Sequence, residues 1–290
     1  MLLKSRVKHQ QHGVVRLTER FTAQAVYLIP VLASLLFGLA CASSLLPQEV
    51  APISVTPFPE SSPSGPFGNA LYFVVLVAVS ATVFYILLKR KSQKIIMVLI
   101  GFALTTAALL LSLVYLSSVF AYIPSLAFLT IPLSIVLVVL FDLAIFRWGG
   151  KASNAAVVCL GGALGVFFGF FIPFWSAILI LSFLAVYDII AVYYGPVGKI
   201  AQSGLDQLKG LSYSFKDIQM GLGDLVFYSM LSGTMLFTFQ PNFLPCAISI
   251  VGILAGSFLT LLILEKKNIF PGLPLPVLLG LVGGFLASLI

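Results

Sequence analysis

Apolar stretches of about 20 residues, each long enough to cross roughly 30 Å of hydrocarbon, recur along nearly the whole chain and leave no room for a separate water-soluble domain. Of the 290 residues, 60% are hydrophobic and only 9% charged, more apolar surface than a soluble domain of this length can bury. The expected fold class is therefore all-α: a polytopic membrane helical bundle forming one domain over residues 1–290.

Nine transmembrane helices are predicted, at about 21–46, 70–88, 95–120, 123–146, 153–171, 174–194, 218–239, 246–264 and 272–290. Proline marks the breaks. Pro47, Pro52, Pro57, Pro59, Pro63 and Pro66 punctuate a Ser/Pro-rich loop over 47–69; Pro124 and Pro173 open spans; Gln240-Pro241-Asn242 ends one. The weakest break is Ala121 to Pro124, which is needed because 95–146 is otherwise one apolar run of impossible length.

With these nine spans all 16 Lys and Arg residues fall on one side. They lie in the basic tail 1–20, after the second and fourth spans, in the loop 195–217 between the sixth and seventh, and at Lys266 and Lys267. The positive-inside rule makes that side the cytoplasm, with the N-terminus cytoplasmic and the C-terminus outside. One missed or invented span would scatter the charges over both faces. The net charge of +7 thus needs no nucleic acid. The expected location is the cell membrane, as a multi-pass protein. A cleaved leader over 1–41, with Ala40-Cys41-Ala42 as its small-residue site, is the weaker reading, because the apolar run is longer than the usual leader core.

Several chemistries are excluded. His9 and His12 both lie in the polar tail, so neither serine–histidine catalysis nor a His-Glu-x-x-His zinc site can operate inside the bilayer. Cys41, Cys159 and Cys246 have no Cys-x-x-Cys partner, and no metal or other cofactor is expected.

Three acids remain within apolar spans: Asp142, Asp188 and Asp224. A central Asp costs about 2.5–3.5 kcal/mol to insert, so a chain that keeps several has a use for them. Asp142, near the end of its span with Arg147 close by, reads as a paired or snorkelling acid. Asp188 and Asp224 lie about six residues from the ends of consecutive antiparallel spans, at one depth, with small neighbours Ala185, Ala191 and Gly221 that permit close approach. Two carboxyls around one water keep a single shared proton; the ionised member draws a proton from water while the other hydrogen-bonds a scissile carbonyl. The same pair could instead bind a cation in a channel or transporter. Depth alone leaves both open.

The residues around the acids resemble a known family. Tyr187-Asp188 and Gly221-Leu222-Gly223-Asp224, with Pro271-Gly272-Leu273-Pro274 at the ninth span, are similar to the YD, GxGD and PALP motifs of the presenilin and signal peptide peptidase family. Three motifs in order on the sixth, seventh and ninth spans form a specific match, whereas a lone GxGD is weak. Gly272 stands where the family usually has Ala, as in archaeal members.

The resemblance implies an intramembrane aspartyl protease, a GxGD-type hydrolase with Asp188 and Asp224 catalytic and with Tyr187, Gly221, Leu222, Gly223, Pro271, Gly272, Leu273 and Pro274 shaping the site and positioning substrate. The implied partners are a transmembrane-helix peptide substrate and membrane lipid; a homo-oligomer is left open. The N-in orientation resembles presenilins, which by analogy take a segment whose N-terminus is outside. The short 195–217 loop lacks the long insert of animal presenilins and argues against self-cleavage. Prepilin-type GxGD peptidases share the acid chemistry, but fewer spans and no proline motif are expected of them.

A substrate helix has its peptide bonds paired internally, so cleavage requires unwinding and new partners for the freed groups. Backbone at Leu205 to Tyr213 and around Leu273 is expected to offer strand-like pairing. The glycine stripes Gly161/Gly165/Gly169, Gly252/Gly256 and Gly280/Gly284 are expected to be close-packing seams.

Overall fold

The computed structural model describes residues 2–4, 22–46, 55–90, 92–194, 212–215, 218–267 and 269–290. Among them are nine α-helices: α1 (Ile29–Leu45), α2 (Gly65–Lys89), α3 (Gln93–Phe120), α4 (Thr130–Asp142), α5 (Gly150–Phe171), α6 (Phe174–Tyr193), α7 (Leu222–Thr238), α8 (Leu244–Lys266) and α9 (Pro274–Ser288). The fourth predicted span is composite. A 3-10 turn (Pro124–Leu129) leads into α4, and a π-helical turn (Leu143–Trp148) follows it. The break at Ala121 to Pro124 is present, with α3 ending at Phe120.

Helix starts follow proline. Pro66, Pro245 and Pro274 occupy first-turn positions, where a missing N–H leaves no bond unmade. For this reason α2 begins at Gly65 rather than at residue 70, taking Pro66, the last proline of the preceding loop, into its first turn. Glu60, in the described part of that loop, reaches the start of α6. Glu60 accepts the N–H groups of Trp175 (2.8 Å) and Ser176 (3.3 Å), and buried Asn69 donates to Ser176 (2.9 Å).

The core is built around α5 and α7, and the glycine seams explain their closeness. A Cβ on Gly161 would meet Leu225; one on Gly165 would collide with the Val226 carbonyl; one on Gly169 would meet Thr234 N at 2.7 Å. Gly252 and Gly256 bring α8 equally close to the α9 backbone at Leu279 and Pro276, while Gly280 and Gly284 meet Leu231 and Met235 of α7. The expected seams are thus real, and they surround the helix that carries Asp224. Helices α2, α3 and α4 form the outer layer. Val79, Val98, Phe102, Ile131 and Ile135 are each at least half exposed, an arrangement suited to lipid tails rather than water.

Seven helical segments are long and apolar enough to cross a membrane, so the protein is multi-pass: Ala25–Leu45, α2, α3, Pro124–Trp148, α5, α6 and α8. The other two, α7 with 17 residues and α9 with 15, are shorter than the spans predicted for them. For α7 the cause is a feature that an all-α reading lacks. Residues 218–221, expected in the first turn of the seventh span, form a strand, and a second strand precedes α9.

These strands belong to a small sheet of β1 (Leu2–Lys4), β2 (Ser212–Phe215), β3 (Ile218–Gly221) and β4 (Ile269–Phe270), in the order β2-β3-β1-β4. β2 and β3 form an antiparallel pair with Ser212 opposite Gly221. β1 lies between β3 and β4, antiparallel to both, with Leu2 opposite Met220 on one side and Phe270 on the other. The sheet gathers the N-terminal residues, the segment before α7 and the segment before α9 at one end of the bundle, three regions that the charge pattern also assigns to a single face.

Candidate active site

Two of the four strands lead directly into the sequence motifs. β3 ends at Gly221, which caps α7 in an extended conformation (φ −70°, ψ 143°), and Asp224 follows as the third residue of the helix. The sequence count that put Asp224 six helical residues into its span is therefore corrected: the four residues before Leu222 are extended. β4 ends at Phe270, and Pro271, Gly272 and Leu273, all buried, carry the chain into α9 at Pro274, which is half-buried.

Asp188 sits six residues before Tyr194, the residue that closes α6, as predicted. Its side chain is buried at 9% exposure, and that of Asp224 at 3%. The two side chains meet on one short piece of backbone. Asp188 Oδ2 accepts the N–H of Leu273 at 3.1 Å. Gly272, one residue earlier, has its Cα against the other acid: a Cβ there would lie 2.8 Å from Asp224 Oδ2 and 2.9 Å from Oδ1. The Pro-Gly-Leu-Pro segment thus touches both acids with main chain alone, an approach that a side chain at residue 272 would obstruct.

Not every motif residue sits so close. Tyr187, on the same turn as Asp188, is half-buried. Leu222 is buried at the start of α7; Gly223 is exposed, and a Cβ on it would meet only the Phe227 ring at 3.7 Å. Ala191 is buried and Ala185 half-buried on either side of Asp188. Asp142 stands apart. Thr105 Oγ1 lies 3.0 Å from each of its carboxylate oxygens, so its partner is a hydroxyl on α3 rather than Arg147. In the backbone expected to pair with substrate, 205–211 lie outside the described residues, while Ser212 and Tyr213 belong to β2.

One residue escaped the sequence reading. Tyr228, 1% exposed, donates its hydroxyl to the Gly272 carbonyl at 2.7 Å. The signal was its spacing, four residues after Asp224 and so on the same helical face.

Comparison with known proteins agrees with this geometry. The profile of the family described as signal-peptide peptidase, presenilin aspartyl protease matches residues 31–201, more than half of the chain, and the presenilin profile matches 199–290. The chain belongs to the signal-peptide peptidase and presenilin aspartyl protease family. Presenilin-B of Dictyostelium discoideum is similar to it, with 31% identity over 129 residues, 40% of this chain. That match spans only 26% of the length of Presenilin-B. Two crystal structures of a presenilin family intramembrane aspartate protease share the fold of this family member. The C222 form has a TM-score of 0.65 at 19% identity, covering 91% of this chain and 98% of that one. The P2 form has a TM-score of 0.63 at 20% identity, covering 93% and 99%.

Proposed function

We propose that the chain is an intramembrane aspartyl protease in which Asp188 and Asp224 share one proton and hydrolyse a peptide bond in an unwound transmembrane segment. The observation that carries this reading is the meeting of two buried carboxyls on one peptide unit, Asp188 on the Leu273 N–H and Asp224 against Gly272. On this reading the ionised acid takes a proton from water as the protonated one hydrogen-bonds the substrate carbonyl. Pro271 and Pro274 limit the freedom of the loop that joins them.

The sheet supports a strand-adding substrate. An unwound helix needs partners for its freed N–H and C=O groups, and β3 and β4 run directly into the two motifs. The place between them is held by β1 of the chain itself, so on this reading substrate displaces β1. The basic segments give the further expectation that the N-terminus is cytoplasmic and that the substrate segment has its N-terminus outside.

The test is replacement of Asp188 and of Asp224 by Asn in purified protein, with a transmembrane peptide as substrate and a hydroxyl-bearing transition-state mimic as inhibitor. Loss of cleavage in both variants with helicity intact, and inhibition of the wild type by the mimic, are expected. Cleavage at the wild-type rate by either variant removes the protease reading, and altered ion flux beside it favours a channel.

A further inference from the structure

The planar peptide unit joining Gly272 to Leu273 is held at both ends. Its carbonyl oxygen accepts from Tyr228 at 2.7 Å, and its N–H donates to Asp188 Oδ2 at 3.1 Å. Because the unit is planar, fixing the direction of the oxygen also fixes that of the N–H. The Tyr228 hydroxyl leaves the same helical face as Asp224, one turn further along α7. The helix that bears one acid therefore controls the backbone donor that reaches the other. Hydrogen bonding to the carbonyl also polarises the unit and strengthens its N–H as a donor. Tyr228 is buried, so its hydroxyl requires a partner within the protein.

We propose that Tyr228 is a positioning residue of the hydrolytic centre, aiming the Leu273 N–H at Asp188 through the Gly272–Leu273 peptide. This deepens the protease reading and rests on it. The phenol does not touch substrate. It keeps the Asp188 carboxyl at the orientation and distance that a water shared with Asp224 requires, where errors of about 1 Å cost on the order of a hundredfold in rate.

The test uses the full chain in detergent or liposomes with a transmembrane peptide. Tyr228→Phe keeps the ring and removes the hydroxyl. The expected result is a fall in kcat of about ten- to a hundredfold with KM within about twofold, and an equal loss of affinity for a transition-state mimic. The thermal midpoint falls modestly, because the Gly272 carbonyl loses its donor. A second variant addresses the other end of the unit. Replacing the Gly272–Leu273 amide by an ester, with the α-hydroxy analogue of leucine at 273, deletes the N–H while keeping the buried side chain and placing no carbon in the space beside Asp188. Adding Tyr228→Phe to the ester variant is expected to cause no further loss, because both act through one donor.

Wild-type kcat in Tyr228→Phe overturns the proposal. So does a loss that appears in KM without weakening the mimic, or multiplicative losses in the double variant. The Asp188→Asn and Asp224→Asn proteins are assayed in parallel. If they are inactive while Tyr228→Phe is unimpaired, only the positioning role falls; if either cleaves normally, the protease reading falls and takes this role with it.

Discussion

Gly272 lies against Asp224 so closely that a Cβ added to it would fall 2.8 Å from the carboxyl oxygen Oδ2. The obstructing atoms are the end of a side chain and can yield a few tenths of an ångström for a methyl. Gly272→Ala is therefore expected to keep activity within about tenfold of wild type, whereas Gly272→Val, branched at Cβ, is expected to lose about a hundredfold or more. Steady-state cleavage of one transmembrane peptide by both variants decides it. Equal activity in all three proteins would mean that the Asp224 carboxyl does not need this contact.

The N-terminal strand makes a second expectation. Since β1 occupies the place between β3 and β4, removal of residues 2–4 should lower the apparent KM for a strand-adding substrate and leave kcat unchanged. An unchanged KM would mean that substrate docks elsewhere; a raised KM would mean that β1 is part of the docking platform.

The α5–α7 seam gives a stability test. A side chain at residue 165 would press on the Val226 carbonyl and Ser229, so Gly165→Val should destabilise the protein by about 1–3 kcal/mol and reduce activity by shifting the helix that carries Asp224. Thermal unfolding in detergent, compared with the wild type, measures it.

Asp142 should behave unlike the paired acids. Thr105→Val removes its hydroxyl partner and is expected to cost about 1 kcal/mol of stability while turnover remains within about twofold. A loss of turnover on the scale of an Asp188 substitution would give Asp142 a share in the chemistry.

Much of this architecture was legible in the sequence because lipid imposes simple rules. A span must be apolar and about 20 residues long, so Pro124, Pro173 and Pro241 located breaks that the structure retains. Glycines at four-residue spacing located the seams, because only a missing side chain allows backbones to approach that far. The acids stood out as residues with no place in hydrocarbon.

What escaped the sequence depends on contacts between distant residues. Ile218 to Gly221 continues an apolar stretch and looks like the start of a span; its strand character comes from partners at Ser212–Phe215 and, more than 200 positions away, Leu2–Lys4. Tyr228 looked like an ordinary aromatic residue until the α9 entry loop was laid across it. Asp142 reads from chain position as a paired or snorkelling acid, and the hydroxyl that pairs with it, on a helix 37 residues earlier, has no signature of its own in the sequence.

The small sheet also constrains the order in which the molecule can be made. Leu2 leaves the ribosome more than 200 residues ahead of its neighbours Met220 and Phe270. During translation the opening strand waits while helix after helix enters the bilayer, and a half-made chain lacks the loop that bridges the acids. The meeting of Asp188 and Asp224 on the Gly272–Leu273 backbone is thereby deferred until the entry to α9 has been made.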